Sequence, residues 1–253
     1  MLVEERRTAI LNLLREHGKV RVKDLSRRFE TSEVTIRNDL KQLDLRGLVR
    51  KSHGGAMPPE TIVVEPSLQE RFRSHGEEKR RIGAAAAALV NDGETLILDS
   101  GSTTQEIAKR IKGRQRLQVI TNGVNIAMEL VGVRGIQVIL LGGVLRDNSV
   151  SVVGHFAEDM LAHLSADKLF IAADGCDLEF GISTPNLEES RVNRAMVRIA
   201  RENILVADSS KFGKTSLSRI AAVAEIDKVV TDDRLPDEFR AALRARGLEL
   251  ILA

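Results

Sequence analysis

Residues 29–40 read Phe29-Glu30-Thr31-Ser32-Glu33-Val34-Thr35-Ile36-Arg37-Asn38-Asp39-Leu40, a tight turn running into an amphipathic helix. From Ile36, a period of 3.6 puts Ile36, Leu40 and Leu43 on one face, with Arg37, Asn38 and Lys41 projecting from the other. Arginine reads guanine edges and phosphates bidentately and asparagine reads adenine, so this outer face carries the residue types that a helix takes into a DNA major groove. Ser32 is a good N-cap, and with Thr35 it lies where the free amides and positive dipole of the helix start could meet a phosphate.

A basic helix face is by itself most often solvated surface, and it is the flanks that decide here. Glu5 to Glu16 forms a first helix with Ile10, Leu13 and Leu14 inward, and Lys23 to Phe29 a second with Leu25 and Phe29 inward. The Ile36 helix follows after a short turn, which is the spacing of a helix-turn-helix. After Gly47, Leu48-Val49-Arg50-Lys51-Ser52-His53-Gly54-Gly55 reads as a strand and glycine turn, hence a wing whose Arg50 and Lys51 would meet phosphates.

Thr35-Ile36-Arg37-Asn38-Asp39-Leu40, followed by His53-Gly54-Gly55-Ala56, resembles the N-terminal signature of the DeoR-type bacterial transcriptional regulators. Many members carry a second arginine where this chain has Asn38, a variant that resembles the N-acetylgalactosamine (AgaR-type) repressors. The difference bears on which operator is read.

At 253 residues and 43% hydrophobic content, the chain is long enough for a small module and one sizeable domain. The single cysteine, Cys176, excludes a disulfide within the chain, and neither a leader nor a long apolar run is visible. The expectation is a soluble, cytoplasmic protein without a membrane span. His, Cys and carboxylates show no metal-ligand spacing, so neither a metal nor a cofactor is expected. Residues 1–56 hold 13 Lys and Arg against 8 Asp and Glu, whereas the remainder holds 25 against 28, so the attraction for phosphate is concentrated at one end. With no Trp or Tyr, stacking on single-stranded bases is disfavoured, leaving duplex DNA as the nucleic-acid partner.

Met57-Pro58-Pro59-Glu60 breaks any helix, so the expected organisation is a winged helix-turn-helix over 1–57, a linker over 58–76 and an α/β domain over 77–253. In the last of these, an alanine-rich helix from Glu77 to Asn91 precedes apolar runs that alternate with amphipathic helices. The predicted strands are Thr95 to Leu98, Leu117 to Thr121, Gln137 to Leu141, Lys168 to Ala172, Asn203 to Ala207, Lys228 to Thr231 and Glu249 to Leu252. This pattern predicts a mostly parallel, doubly wound sheet covered on both faces.

In such a sheet ligands lie outside the carboxyl ends of the strands. Those ends carry Asp99-Ser100-Gly101-Ser102-Thr103-Thr104, Asn122-Gly123, Gly142-Gly143, Asp174-Gly175 and Asp208-Ser209-Ser210-Lys211. The first is hydroxyl-rich and opens a helix, which suits a phosphate; ordinary helix capping is the commoner explanation of such a turn standing alone, and the company of Lys211 and Asp174 shifts the balance. It lacks G-x-G-x-x-G, so a phosphate ester is favoured over a dinucleotide. Gly213-Lys214-Thr215 is not a P-loop, because Asp208 stands where the first glycine belongs. Lys211 could supply a cation to the phosphate, with Asp174 and Asn122 holding sugar hydroxyls.

These strand-end motifs also resemble the sensor domain of the same regulators, which is similar to the sugar-phosphate isomerase and deaminase superfamily. The resemblance implies a DNA-binding repressor of sugar catabolism genes, released by a phosphorylated sugar and acting as a homodimer or homotetramer. The rival function is an isomerase or deaminase with Glu188 or Glu189 as base, assisted by Asp174 and Lys211. Against it stand the N-terminal module, for which an enzyme has no use, and the reading of Glu188 and Glu189 as solvated partners of Arg191 and Arg194.

Overall fold

The structure, a computed structural model, describes residues 3–46, 48–52, 54–57 and 65–253. The chain divides into two compact units, Met1–Val64 and Glu65–Ala253. Gly47 and His53 of the expected wing, and residues 58–64 of the expected linker, lie outside the described residues.

The first unit runs α1 (Val3–His17), β1 (Val20–Arg21), α2 (Val22–Arg28), α3 (Glu33–Leu45), β2 (Arg50–Ser52) and β3 (Gly55–Met57). Its core joins Ile10, Leu13 and Leu14 of α1 to Leu25 of α2 and to Ile36, Leu40 and Leu43 of α3. The wing hairpin β2/β3 is antiparallel, and β1 adds a third strand beside β3. A Cβ at Gly55 would stand 2.0 Å from the Val20 carbonyl oxygen, so only glycine lets β1 and β3 approach this closely. Asp39, on the inner face of α3, is buried and accepts hydrogen bonds from Arg6 Nε at 2.7 Å and Arg7 Nε at 3.0 Å. This pair of bonds ties α1 to α3 beneath the outward-facing residues.

The second unit begins with α4 (Leu68–Arg73), α5 (Gly76–Ala88), β4 (Thr95–Leu98), α6 (Ser102–Arg110), β5 (Leu117–Thr121), α7 (Val124–Leu130) and β6 (Ile136–Leu140). It continues with β7 (Val144–Arg146), β8 (Ser151–Val153), α8 (His155–Leu161), β9 (Ala166–Ile171), β10 (Gly175–Asp177), β11 (Gly181–Thr184) and α9 (Leu187–Ile199). The last elements are β12 (Ala200–Val206), β13 (Ser218–Ala221), β14 (Lys228–Thr231), α10 (Asp237–Ala245) and β15 (Glu249–Leu252). Among the described residues seven strands form a parallel sheet in the order β15-β14-β12-β9-β4-β5-β6. Alternate side chains serve opposite faces. Leu96 and Leu98 pack with Ile82 of α5 and Ile107 of α6, whereas Ile97 packs on the side of Met196 of α9 and Leu243 of α10.

Residues 65–76 are not the connecting segment expected of them. They belong to the second unit, where Ser67 caps α4 in a capping box with Glu70 and Leu68 is buried. Smaller antiparallel pieces, the hairpin β7/β8 and the sheet β10-β11-β13, decorate the carboxyl edge of the large sheet and had no counterpart in the expected strands. The chain builds outward from β4 through β5 to β6, then returns to lay β9 on the other side of β4. The loops after β4 and β9 therefore diverge, and this is the crevice where an open α/β sheet takes its ligand.

Candidate functional site

In the first unit, Ser32 caps α3 by accepting from the Thr35 amide at 3.1 Å, and the two hydroxyls lie 2.9 Å apart. Arg37, Asn38 and Lys41 are all exposed on the outer face of α3, and Arg50 and Lys51 are exposed on β2. The Arg37 guanidinium is held at 2.5 Å by Glu33, one turn back. Such an exposed pair is weak, so the guanidinium is readily exchanged to another partner. The Lys51 amide donates to the Asp44 carboxylate at 3.2 Å, fixing the wing strand against the end of α3.

In the second unit, the loops after β4, β5 and β9 line the crevice. The Ser100 amide donates to Asn122 Oδ1 at 3.0 Å, and a Cβ at Gly101 would stand 3.8 Å from that of Ala172. Gly101, at φ 150°, starts α6 without a side-chain cap. Ser102, Thr103 and Thr104 are buried in the first turn, and the Thr104 hydroxyl turns back to the Gly101 carbonyl at 3.2 Å. Asp99 Oδ1 and Asn122 Nδ2 are buried with no hydrogen-bond partner among the described residues. Burial, and after it the charge of Glu189, pushes the Asp99 carboxyl well above the ordinary carboxylate range.

Around this spot stands a charged cluster. Asp174 accepts from Arg71 Nη2 at 3.2 Å and lies 3.7 Å from Lys211 Nζ. Arg71 also reaches Glu65 at 3.2 Å, and Arg146 holds both Glu65 and Glu189, the latter at 2.9 Å. Glu189 further accepts from the Thr184 hydroxyl at 3.1 Å, and burial pushes its carboxyl upward against the attraction of Arg146. Lys79, desolvated by burial, is lowered to about 8, and its ammonium donates to the backbone carbonyls of Arg71 and Ser74. Glycines 142 and 143 lie at the entry to the β7/β8 hairpin, with the Gly142 amide on Met160 Sδ and Gly143 pressed against the Val153 backbone. Gly175, at the start of β10, allows the Lys214 carbonyl to approach; a Cβ there would lie 2.5 Å away.

The DeoR-like helix-turn-helix domain matches residues 6–61, and the DeoR C terminal sensor domain matches residues 74–233. This chain belongs to the DeoR family of transcriptional regulators. The regulator is 40% identical over 250 residues to a protein of Escherichia coli O157:H7 assigned as an aga operon transcriptional repressor, covering 98% of this chain and 93% of that one. It is 35% identical over 253 residues to the transcriptional repressor GlcR of Bacillus subtilis, covering 100% and 97%. A partial likeness to ribose 5-phosphate isomerase A of Methanocaldococcus jannaschii, with TM-score 0.42 and 18% identity, covers 55% of each chain. The family makes the chain a DNA-binding regulator with a sensor domain rather than an enzyme. Among the described residues no helix is long and apolar enough to cross a membrane, and no cluster of three or more His, Cys, Asp or Glu is placed to hold a metal ion.

Of the carboxylates considered as bases, Glu188 is exposed, but Glu189 is buried against Arg146 and is not the solvated helix-surface residue expected. The sequence offered one sign of this, since Glu189 lies three residues before Val192 and seven before Met196, on the apolar face of α9. Glu65, Arg71, Lys79 and Arg146 were not foreseen as part of the regulator's crevice. The first three precede the sheet in the chain, and Arg146 stands in a hairpin with no apolar pattern.

Proposed function

We propose that this regulator is a repressor of sugar catabolism genes that leaves operator DNA when a phosphorylated sugar enters the crevice of its sensor unit. The observation that carries the reading is the coincidence, at the switch point of the sheet, of an uncapped helix start with two buried polar atoms that lack partners among the described residues. The phosphate takes the first-turn amides of α6 and the hydroxyls of Ser100, Ser102 and Thr103, with Lys211 as counter-charge. The buried Asp99 carboxyl and the Asn122 amide then hydrogen-bond sugar oxygens, while Asp174 accepts from a hydroxyl. Gly101 lets backbone approach the phosphate, Thr104 braces the turn, and Gly142, Gly143 and Gly175 shape the rim.

On the DNA side, Arg37, Asn38 and Lys41 enter the major groove, and Ser32, Thr35, Arg50 and Lys51 lie along the phosphates. The regulator works in the cytoplasm as a homodimer or homotetramer, so that paired modules cover two half-sites. A ligand shifts such an equilibrium only by its differential affinity for the two states, typically about 1–3 kcal/mol. The test is thermal denaturation of the full chain with ribose 5-phosphate, glucosamine 6-phosphate and galactosamine 6-phosphate, each beside its unphosphorylated sugar. A rise in midpoint with one phosphate and not with its parent sugar supports the reading, and no rise with any of the three removes it.

A further inference from the structure

The arginines of the crevice are already engaged by a carboxylate that comes from the edge of the unit. Glu65 is its first residue, and both carboxylate oxygens are used, Oε1 by Arg71 at 3.2 Å and Oε2 by Arg146. The chain from Glu65 to Arg73 crosses the site as a strap fastened mainly by polar bonds. Asn148 donates to the Glu65 carbonyl at 2.9 Å and accepts from the Leu68 amide at 2.8 Å, Arg71 reaches back to the Pro66 carbonyl at 3.1 Å, and Lys79 holds the carbonyls of Arg71 and Ser74. Leu68 is its buried apolar anchor, while Phe72 is exposed.

We propose that Glu65 is a built-in competitor for the anionic group of the effector: it occupies Arg71 and Arg146 in the absence of ligand, and the phosphate takes both arginines from it. This rests on the phosphosugar reading above and adds two binding residues and a displaced one. Arg71, Arg146, Lys79 and Lys211 face Glu65, Asp174, Glu189 and Asp208, so an added phosphate leaves the cluster with excess negative charge unless a carboxylate withdraws. Asp174 follows a central strand of the sheet and Glu189 is fixed in α9 by burial and Thr184, whereas Glu65, its side chain 12% exposed, is the first residue of the unit and lies outside any helix or strand, so it is the carboxylate with the least backbone holding it. A guanidinium exchanges a carboxylate for a phosphate without loss of bidentate geometry. Displacement acts on the first residue of the sensor unit, the point at which the chain enters it.

The experiment uses the full chain with ribose 5-phosphate, glucosamine 6-phosphate and galactosamine 6-phosphate as probes, read by thermal shift and by hydrogen exchange of the amides of residues 65–73. Glu65→Gln removes the competing charge, and its half-maximal stabilisation should come at about tenfold lower probe concentration than for wild type. Glu65→Asp keeps the charge and should keep the wild-type midpoint. In the wild type, exchange over residues 65–73 should quicken when the stabilising probe is added, a measurement that needs no variant. Stabilisation of the wild type with no gain in Glu65→Gln, or slower exchange over the strap, overturns the competition while leaving the phosphosugar reading intact. Absence of any shift in both proteins overturns that reading, and this inference with it.

Discussion

Replacing Arg146 by methionine should cost the sensor unit about 3 kcal/mol, the lower end of the range for breaking a buried ion pair by removing one partner. Arg146 donates to Glu189, Glu65 and Ser149, and its side chain and that of Glu189 keep only 15% and 6% of their accessible surface. In the variant Glu65 can turn to solvent, but Glu189 is left with the Thr184 hydroxyl. The cost stays near the lower end because Glu189, already pushed upward by burial, can take a proton instead of remaining an unpaired charge. The sign with pH follows. A carboxyl whose folded pKa lies above its unfolded value takes up a proton on folding, so its penalty is absent below about pH 4 and grows as pH rises. Arg146→Met should therefore lag wild type more at pH 8 than at pH 5. For a unit of this size the loss corresponds to roughly 6–12 °C in midpoint. With no Trp or Tyr in the chain, far-UV circular dichroism is the suitable probe. The double variant Arg146→Met/Glu189→Leu, which removes both charges, should recover most of the loss. A single variant as stable as wild type, or a double variant no better than the single one, would show that the pair is not the buried, coupled unit described.

Arg37→Ala should lose roughly 1–3 kcal/mol of operator affinity and relax preference at one base position, as measured by binding to a set of single-base operator variants; unchanged affinity would take Arg37 out of the groove. Lys51→Ala should weaken all duplexes alike and reduce the slope of log affinity against log salt by about 1, so a sequence-dependent loss would contradict its placement on a phosphate. Asp99→Asn should raise the thermal midpoint of the ligand-free protein at pH 8 and do so less at pH 4. The Asp99 carboxyl, raised by burial first and by Glu189 second, must bind a proton on folding wherever the unfolded chain is ionised, and an equal gain at both pH values would refute this.

The seven parallel strands were legible because strands buried on both faces read as short apolar runs, such as Leu96-Ile97-Leu98 and Val119-Ile120. The pieces that escaped are short antiparallel ones. β1 has two residues, and β7 begins with the exposed Val144 and Leu145, so neither shows a period that a sequence can display. Residues at strand ends, from Asp99 to Thr104 and at Asn122, Asp174 and Lys211, could be singled out because topology alone directs attention to them. The ionic partners could not, since Glu65 and Arg71 reach the crevice from outside the strand-helix pattern. Asp39, Lys79 and Glu189 did leave a trace. Each stands three residues before a buried apolar residue of the same helix, or three after one, namely Ile36, Ile82 and Val192, and a charge on an apolar face is buried only if paired.

The central claim is that the loop opening α6 is where the effector acts on DNA binding. It is tested by titrating a duplex operator, selected from random-sequence DNA by the wild type, with wild-type protein and with Ser102→Glu, each with and without the sugar phosphate that stabilises the wild type most. The carboxylate of the variant stands where the phosphate would lie and leaves the exposed face of α3 untouched. The expected result is a loss of roughly 5- to 150-fold in operator affinity for the wild type on adding the ligand, and no change for a variant that binds DNA normally without it. Release of Ser102→Glu as readily as wild type would mean that the turn is an ordinary helix start and that the effector binds elsewhere.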